Sequence, residues 1–297
     1  MFVIRNKKIF ISLSIFLVLA SWGSIIAFGL PFGLDFKGGS RLSVVYENVP
    51  TEEALTEAVS SAGYESAKIE VKNEGEVVIT LEEISDAEKT SLISAIPQDG
   101  EVSPKEEKFT TIGPSIGNEL KRKAVSSMIL VILSIIVFIA ISFRKVSAQV
   151  SSWKYGIIAI FALIHDVSIP TGIVAILGHF GLVEIDSLFI VAILTILGLS
   201  VSDTIVVFDR IREKLKRNIE TGAKEEFENT VGKSLSETFG RSLNTSLTVI
   251  LALLSLVFFG PESTRFFAII LTIGMFFGTY SSIFLASPLL VIWNKKK

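Results

Sequence analysis

Ile9–Leu30 reads IFISLSIFLVLASWGSIIAFGL, 22 residues without an Asp, Glu, Lys, Arg or His. A hydrocarbon layer about 30 Å thick needs roughly 20 helical residues, so this stretch is long enough to cross it. Ala124–Phe143 offers 20 such residues and Phe266–Trp293 offers 28. Three runs of this kind exclude a soluble cytoplasmic enzyme. Working outward from them predicts six spans, near 9–29, 124–143, 155–177, 187–208, 243–260 and 266–293. Arg5, Lys7 and Lys8 before the first run would suit a signal peptide. The apolar run is longer than a signal core, and no small-x-small cleavage pattern closes it, so a retained anchor is expected.

The chain of 297 residues carries no Cys and only two His, which removes thiol nucleophiles, disulfides and a multi-histidine zinc site. Its net charge of −2 provides no basic patch for nucleic acid. The distribution says more than the total. Residues 31–123 hold 18 acidic and 10 basic side chains, net −8, leaving +6 for the rest. Bases concentrate at the N-terminus, at Arg144, Lys145 and Lys154, in the eight bases of 209–241 and at Lys295–Lys297. The opposite connections, 178–186 and 261–265, contain only Arg265. The positive-inside rule then places both termini in the cytoplasm and residues 31–123 outside. Lys121-Arg122-Lys123 opposes the rule, but long translocated segments override local charge.

The expected organisation is residues 1–30 as cytoplasmic N-terminus and first span, 31–123 as an extracytoplasmic α+β domain, and 124–297 as five further spans with a cytoplasmic loop at 209–241. In the domain, Arg41–Glu47 alternates like a strand. Thr51–Ala62 reads as a helix with Thr51 as N-cap, Glu52 and Glu53 in the first turn, and Gly63 as the stop. Ala67–Lys72 and Val77–Leu81 form a hairpin around Asn73-Glu74-Gly75. Ser85 and Glu88 make a capping box for a helix ending near Ile96-Pro97. Lys108–Ile112 is a last strand. The order β-α-β-β-α-β predicts a ferredoxin-like sandwich. In the loop 209–241, Phe227, Val231, Leu235 and Phe239 recur every four residues. That spacing fits an amphipathic helix on the membrane surface, on a partner, or beneath the chain's own spans.

An ionisable residue inside a span costs some 2.5–3.5 kcal/mol on insertion scales, so each asks for a reason. Asp203 is predicted five residues from the inner end of span four, among Ser200, Ser202 and Thr204. A short Asp snorkels poorly and must be protonated, watered or paired. Arg241 begins span five at a similar depth, so making and breaking an Asp203–Arg241 pair would load and unload a proton. A static ion pair is the plainer alternative. His165 and Asp166 fall near the middle of span three, and Pro170 deprives the Asp166 carbonyl of its helical partner. A wetted, protein-lined site and a satisfied His–Asp hydrogen bond both fit. Gly274, Gly278, Ser282 and Ala286 form a small-residue stripe on span six, suited to close approach of another helix of this chain or of a second subunit.

Several segments together resemble a known family. GLDFKGGS at 33–40 is similar to its Gly-Gly motif. VSDTIVVFDRIRE at 201–213, the His165-Asp166 pair and GRSLNTS at 240–246 resemble the SecF branch of the SecD/SecF family of bacterial protein-translocation proteins, within the resistance-nodulation-division superfamily. The likeness covers essentially the whole chain, whose length suits a separate SecF-type polypeptide rather than a fused SecD–SecF one. It implies half of a pseudo-symmetric membrane architecture completed by SecD, association with the SecYEG channel and YajC, and unfolded preprotein as cargo amid membrane lipids. It implies use of the proton-motive force for preprotein export and release, in the bacterial inner membrane. Residue by residue, the resemblance implies proton-pathway roles for Asp203 and Arg241 and, through the HD pair, a role for Asp166. Asp35, Gly38 and Gly39, with His165, are then structural or coupling residues.

One charge crossing the membrane field releases about 2.3 kcal/mol per 100 mV. No GxxxxGK[ST] nucleotide-binding motif occurs, which agrees with such an energy source. Neither an enzymatic reaction nor a metal or other cofactor is expected. A proton-driven exporter of lipids or other hydrophobic molecules is the alternative on the same architecture. An aspartyl protease built on Asp166 and Asp203 lacks the GxGD pattern, and a purely structural scaffold predicts normal export once Asp203 is neutralised.

Overall fold

The computed structural model describes residues 2–71, 75–97, 107–143 and 150–294. The expected hairpin turn at Asn73-Glu74 and the basic residues Arg144, Lys145 and Lys295–Lys297 lie outside them. The chain divides into two compact units, Phe32–Val125 and, on either side of it, Met1–Pro31 with Ser126–Lys297.

The smaller unit begins with the one-turn helix α3 (Leu34–Lys37), preceded in the chain by α1 (Phe2–Arg5) and α2 (Lys7–Phe28) of the larger unit. It continues through β1 (Gly39–Val45), α4 (Glu52–Ser61), β2 (Lys68–Val71), β3 (Glu76–Leu81), α5 (Asp86–Ala95) and β4 (Glu107–Ile112). The strands pair antiparallel in the order β2-β3-β1-β4, the ferredoxin-like arrangement. Strand alternation sorts the side chains by face. Ile69, Ile79, Leu42 and Phe109 stand in one cross-strand row, and Lys68, Thr80, Arg41 and Thr110 in the next. The apolar row lies in the core with Leu55 and Val59 of α4, Leu92 of α5 and Ile96 at the end of α5. Thr51 Oγ1 accepts the Ala54 amide at 3.3 Å, and Ser85 and Glu88 form the reciprocal capping box.

Gly38 and Gly39 hold φ of +75° and +127°, which favour glycine. A Cβ on Gly39 would stand 2.5 Å from the Leu81 carbonyl oxygen, and one on Gly38 3.0 Å from Pro114 Cα. The pair therefore lets β1 start tight against the end of β3 and the first turn of α6 (Pro114–Ser142). Asp35 occupies the first turn of α3 just before it.

This is a multi-pass membrane protein, with six helices among the described residues long and apolar enough to cross a bilayer. These are α2, α6, α7 (Ser152–His179), α8 (Ser187–Glu220), α9 (Phe227–Phe259) and α10 (Glu262–Tyr280), the last continuing through a π-helical turn (Ser281–Ala286) into α11 (Ser287–Trp293). The segments around α7 and α10 are the most enclosed, whereas α2, α6 and α9 turn Phe16, Leu19, Leu133, Phe138, Leu251 and Phe258 outward, as lipid-facing helices do. Helix α2 lies on α7 through small residues. Ser24 Oγ donates to the Gly172 carbonyl at 3.0 Å, Trp22 Nε1 donates to Ser168 Oγ at 2.9 Å, and a Cβ on Gly172 would stand 2.5 Å from Ser21 Cβ. Phe143, at the end of α6, stacks on Tyr155 of α7 with centroids 5.1 Å apart and meets Phe208 of α8 edge-on at 6.1 Å.

The region 209–241 differs from the expected loop. Helix α8 continues to Glu220 and α9 starts at Phe227, so only 221–226 connect them. Charge does not end a helix when the charged side chains are solvated or paired. Arg210 Nη2 and Lys214 Nζ both reach Glu237 at 2.6 Å, and Asn218 Nδ2 donates to Thr230 Oγ1 at 3.0 Å. Ile211 and Leu215 of α8 and Val231 and Leu235 of α9 are buried. The apolar repeat of 227–239 thus serves the chain's own helical hairpin. Small residues on α10 likewise face inward within this chain: a Cβ on Gly274 would stand 2.1 Å from Ile196 Cδ1, and one on Gly278 3.2 Å from Ser200 Cβ.

Candidate functional site

Three helices and the π-turn bring a polar cluster into an otherwise apolar bundle. Helix α7 supplies His165 and Asp166. Helix α8 supplies Ser200, Asp203 and Thr204, spaced three and four residues apart and hence on one face. Helix α9 supplies Ser242 and Ser246, and the π-turn supplies Ser281 and Ser282. Pro288 gives a local cause for that turn. It has no N–H for the carbonyl four residues back, and its ring crowds that carbonyl, so the preceding turn widens.

Asp166 is fully buried, and its carboxylate is surrounded by donors. His165 Nδ1 lies 2.8 Å from Oδ1, Ser281 Oγ donates to Oδ2 at 2.8 Å, and Ser200 Oγ also donates to Oδ2. A buried charge is tolerated only with such partners. His165 stacks on Tyr280 with ring centroids 5.8 Å apart, and its Nε2 is buried without a hydrogen-bond partner among the described residues.

Asp203 is half-buried one turn along α8 from Ser200. It faces the Ser242 and Ser282 hydroxyls and feels the charges of Asp166 and Arg241. Among the described residues its Oδ2 and Ser242 Oγ are nevertheless both sealed from solvent without a hydrogen bond of good geometry. Thr204 Oγ1 and Ser282 Oγ are 2.9 Å apart, and Thr279 Oγ1 donates to Ser246 Oγ. A hydroxyl-lined seam therefore runs between α8, α9 and the π-turn beside Asp203.

Arg241 departs from its expected place at the start of a helix. Helix α9 already runs from Phe227, Arg241 is exposed, and among the described residues no ion pair joins it to Asp203. It lines a cavity of about 400 Å³ with Val206, Asp209, Arg210 and Glu213 of α8 and Glu237 and Thr238 of α9. Val206 lies one turn beyond Asp203, so this water-accessible notch opens at the base-rich end of the helices that carry Asp203 and Ser242. Among the described residues no cluster of acids and histidines is arranged to hold a metal ion. Asp35, Gly38 and Gly39 lie in the smaller unit, in the tight turn before β1.

Sequence reasoning singled out Asp166, His165 and Asp203 but missed the hydroxyl partners Ser281 and Ser282. The available signal was a polar pair inside an apolar span followed by Ser287-Pro288, a combination that widens a helix where hydroxyls must face inward.

The family described as "Protein export membrane protein SecD/SecF, C-terminal" matches residues 94–296, and the "SecD/SecF GG Motif" matches residues 23–48. The chain is 40% identical to the protein translocase subunit SecF of Thermobaculum terrenum, over 99% of this chain and 94% of that one. It is 34% identical to that of Anaerolinea thermophila, over 98% and 94% respectively. The crystal structure of SecDF, a translocon-associated membrane protein from Thermus thermophilus, superposes with a TM-score of 0.84 at 30% identity. That likeness covers 99% of this chain, which spans 38% of the length of the SecDF chain. The chain thus belongs to the SecD/SecF family of protein export membrane proteins, as a protein translocase subunit of the SecF type.

Proposed function

We propose that this chain works with a SecD partner to turn the proton-motive force into preprotein export and release. The observation that carries the reading is the sealed, unpartnered Oδ2 of Asp203, one turn from a cavity lined by Arg241. A carboxylate held within a helix bundle without a fixed counter-ion is suited to exchange a proton rather than to brace the fold. In this reading Asp203 takes up and releases the proton. Arg241, close enough to be felt but not paired, favours the ionised form when it swings inward. Asp166 holds charge deeper in the bundle with its three donors.

Both termini and the α8–α9 hairpin lie in the cytoplasm, and residues 31–123 lie outside the bacterial inner membrane, as the base distribution supports. SecD completes the membrane unit, and the SecYEG channel with YajC delivers the unfolded preprotein. Each elementary charge falling through 100 mV supplies about 2.3 kcal/mol, so a few protons per cycle suffice to bias the external domains between arrangements.

The test is preprotein release from vesicles holding the channel, SecD and either this chain or its Asp203→Asn variant, assembled to equal levels. Release is followed with and without an imposed proton gradient. Only the wild type is expected to gain from the gradient, and an equal gain by both removes Asp203 from energy coupling.

A further inference from the structure

We infer that α6 is a connecting rod jointed to α8 at its C-terminal end, with Arg212 as the positioning residue of the joint, so that a shift of α8 is carried along α6 to the smaller unit. The inference rests on the reading of Asp203 as the site where that shift begins, and names the part that transmits it. Its first ground is where α6 is held. Of its 29 residues, Gly117 near one end and Ile139 near the other are buried, and no described residue from Asn118 to Phe138 is. No Gly or Pro interrupts 118–143, which removes the usual causes of a kink. A stiff element gripped only near its ends passes tilt on rather than absorbing it.

The first turns of α6 belong to the smaller unit. A Cβ on Gly117 would stand 3.1 Å from the Gly38 amide nitrogen and 3.5 Å from the Asp35 carbonyl oxygen, so α6 sits directly on the Gly38-Gly39 turn. At the other end Phe143 enters a socket made by Tyr155 of α7 and Phe208 of α8, which meet each other edge-on at 5.1 Å. All three rings are fully buried. Arg212 Nη1 donates to the Ser142 carbonyl oxygen at 3.1 Å. The last carbonyls of a helix have no partner within it, and a cation there also meets the negative end of the helix dipole.

The second ground is the face of α8 that makes this joint. Ser200, Thr204, Phe208 and Arg212 recur every four residues and share that face. Ser200 donates to Asp166 and Thr204 pairs with Ser282, so one side of one helix runs from the polar cluster to the socket. Asp203 precedes Phe208 by five residues, about 7–8 Å along the axis. A small turn or slide of α8 at Asp203 therefore displaces Phe208 and Arg212 together, and the end of α6 with them.

The experiment uses the full chain with its SecD partner and the channel in vesicles, assembled to equal levels. Gradient-driven proton uptake and gradient-dependent preprotein release are recorded on the same preparations. Arg212→Ala loosens the joint. Uptake is expected to stay within about twofold of the wild type while the gain in release falls about tenfold, the scale set by one charge-assisted hydrogen bond. Arg212→Lys, which keeps a donor, should regain part of it. Ile139→Cys with Gly156→Cys locks the joint in a chain that has no cysteine of its own. A Cβ on Gly156 lies 3.6 Å from Ile139 Cγ2, so the two side chains are within reach. The disulfide should stall uptake and release together, and reduction should restore both in the same vesicles. Release that is unchanged in Arg212→Ala, uptake that is lost with it, or a formed disulfide that alters neither activity overturns the joint. If Asp203→Asn keeps both activities, the reading of Asp203 itself fails. If Asp203→Asn loses both while Arg212→Ala loses neither, only the joint fails.

Discussion

Gly274 of α10 packs onto Ile196 of α8 so closely that a Cβ on the glycine would stand 2.1 Å from Ile196 Cδ1. Both helices are held at a separation that only a missing side chain permits. Gly274→Ala is therefore expected to destabilise the membrane unit by about 1–3 kcal/mol, the usual cost of overpacking. Ile196→Ala, which removes the obstructing carbons, should recover part of the loss when combined with it, since contacting residues are not additive. Reversible unfolding in micelles of the two single variants and the double variant checks this.

Gly39 carries a comparable constraint in the smaller unit, from backbone rather than side chain. Gly39→Ala would keep φ near +127° and drive a methyl group toward the Leu81 carbonyl. An expected loss of about 1–3 kcal/mol from strain alone should raise amide exchange across β1 and β3, whereas Gly240→Ala, on α9 with ordinary helical φ and open space around it, should leave the sheet undisturbed.

The capping box of α5 predicts a pH response. The Ser85 backbone amide and then its hydroxyl hold the Glu88 carboxyl below its ordinary value. A depressed folded-state value means that the support is present above the unfolded carboxylate range and is lost as the pH falls through the folded value. Exchange of the Ser85 amide should accelerate as the pH is lowered into that window, after correction for intrinsic rates. Glu88→Gln should flatten the response, and Ser85→Ala should cost the helix about 1 kcal/mol.

The ion pairs of the α8–α9 hairpin should matter little to stability. Glu237 meets Arg210 and Lys214 at 2.6 Å, but its side chain is 43% exposed. Solvent screens exposed pairs almost completely, so Glu237→Gln should shift the thermal midpoint only slightly and the shift should shrink in salt. A large shift would mean that the hairpin depends on charge rather than on Val231, Leu235, Ile211 and Leu215.

The spans were legible because a bilayer imposes a length on apolar runs, and the sheet order because strand alternation and two N-caps punctuate residues 31–123. Asp166 and Asp203 stood out for the same reason as any charge among Ile and Leu. The extent of α8 and α9 was hidden because a charged, solvated helix and a charged loop share a composition. Tertiary pairing, such as Asn218 with Thr230, decides between them. The distance of Arg241 from Asp203 was hidden too, since equal depth on two helices says nothing of azimuth. Ser282 shares its small size with Gly274, Gly278 and Ala286, but its hydroxyl, 2.9 Å from Thr204 Oγ1, is the part that size does not reveal.

The π-turn also changes how the end of the chain must be counted. One additional residue in a helix advances everything after it by about 100°. Deleting a single residue between Ser281 and Ala286 would restore α-helical phase and leave Leu290 and Val291, both buried, facing the bundle, whereas straightening the turn at full length would rotate them by about 100° toward the lipid. Positions on either side of residue 281 are therefore out of step with a simple heptad or four-residue count. A designer grafting this helix, or aligning it with a straight one, needs a one-residue gap at the turn to keep both ends facing the bundle.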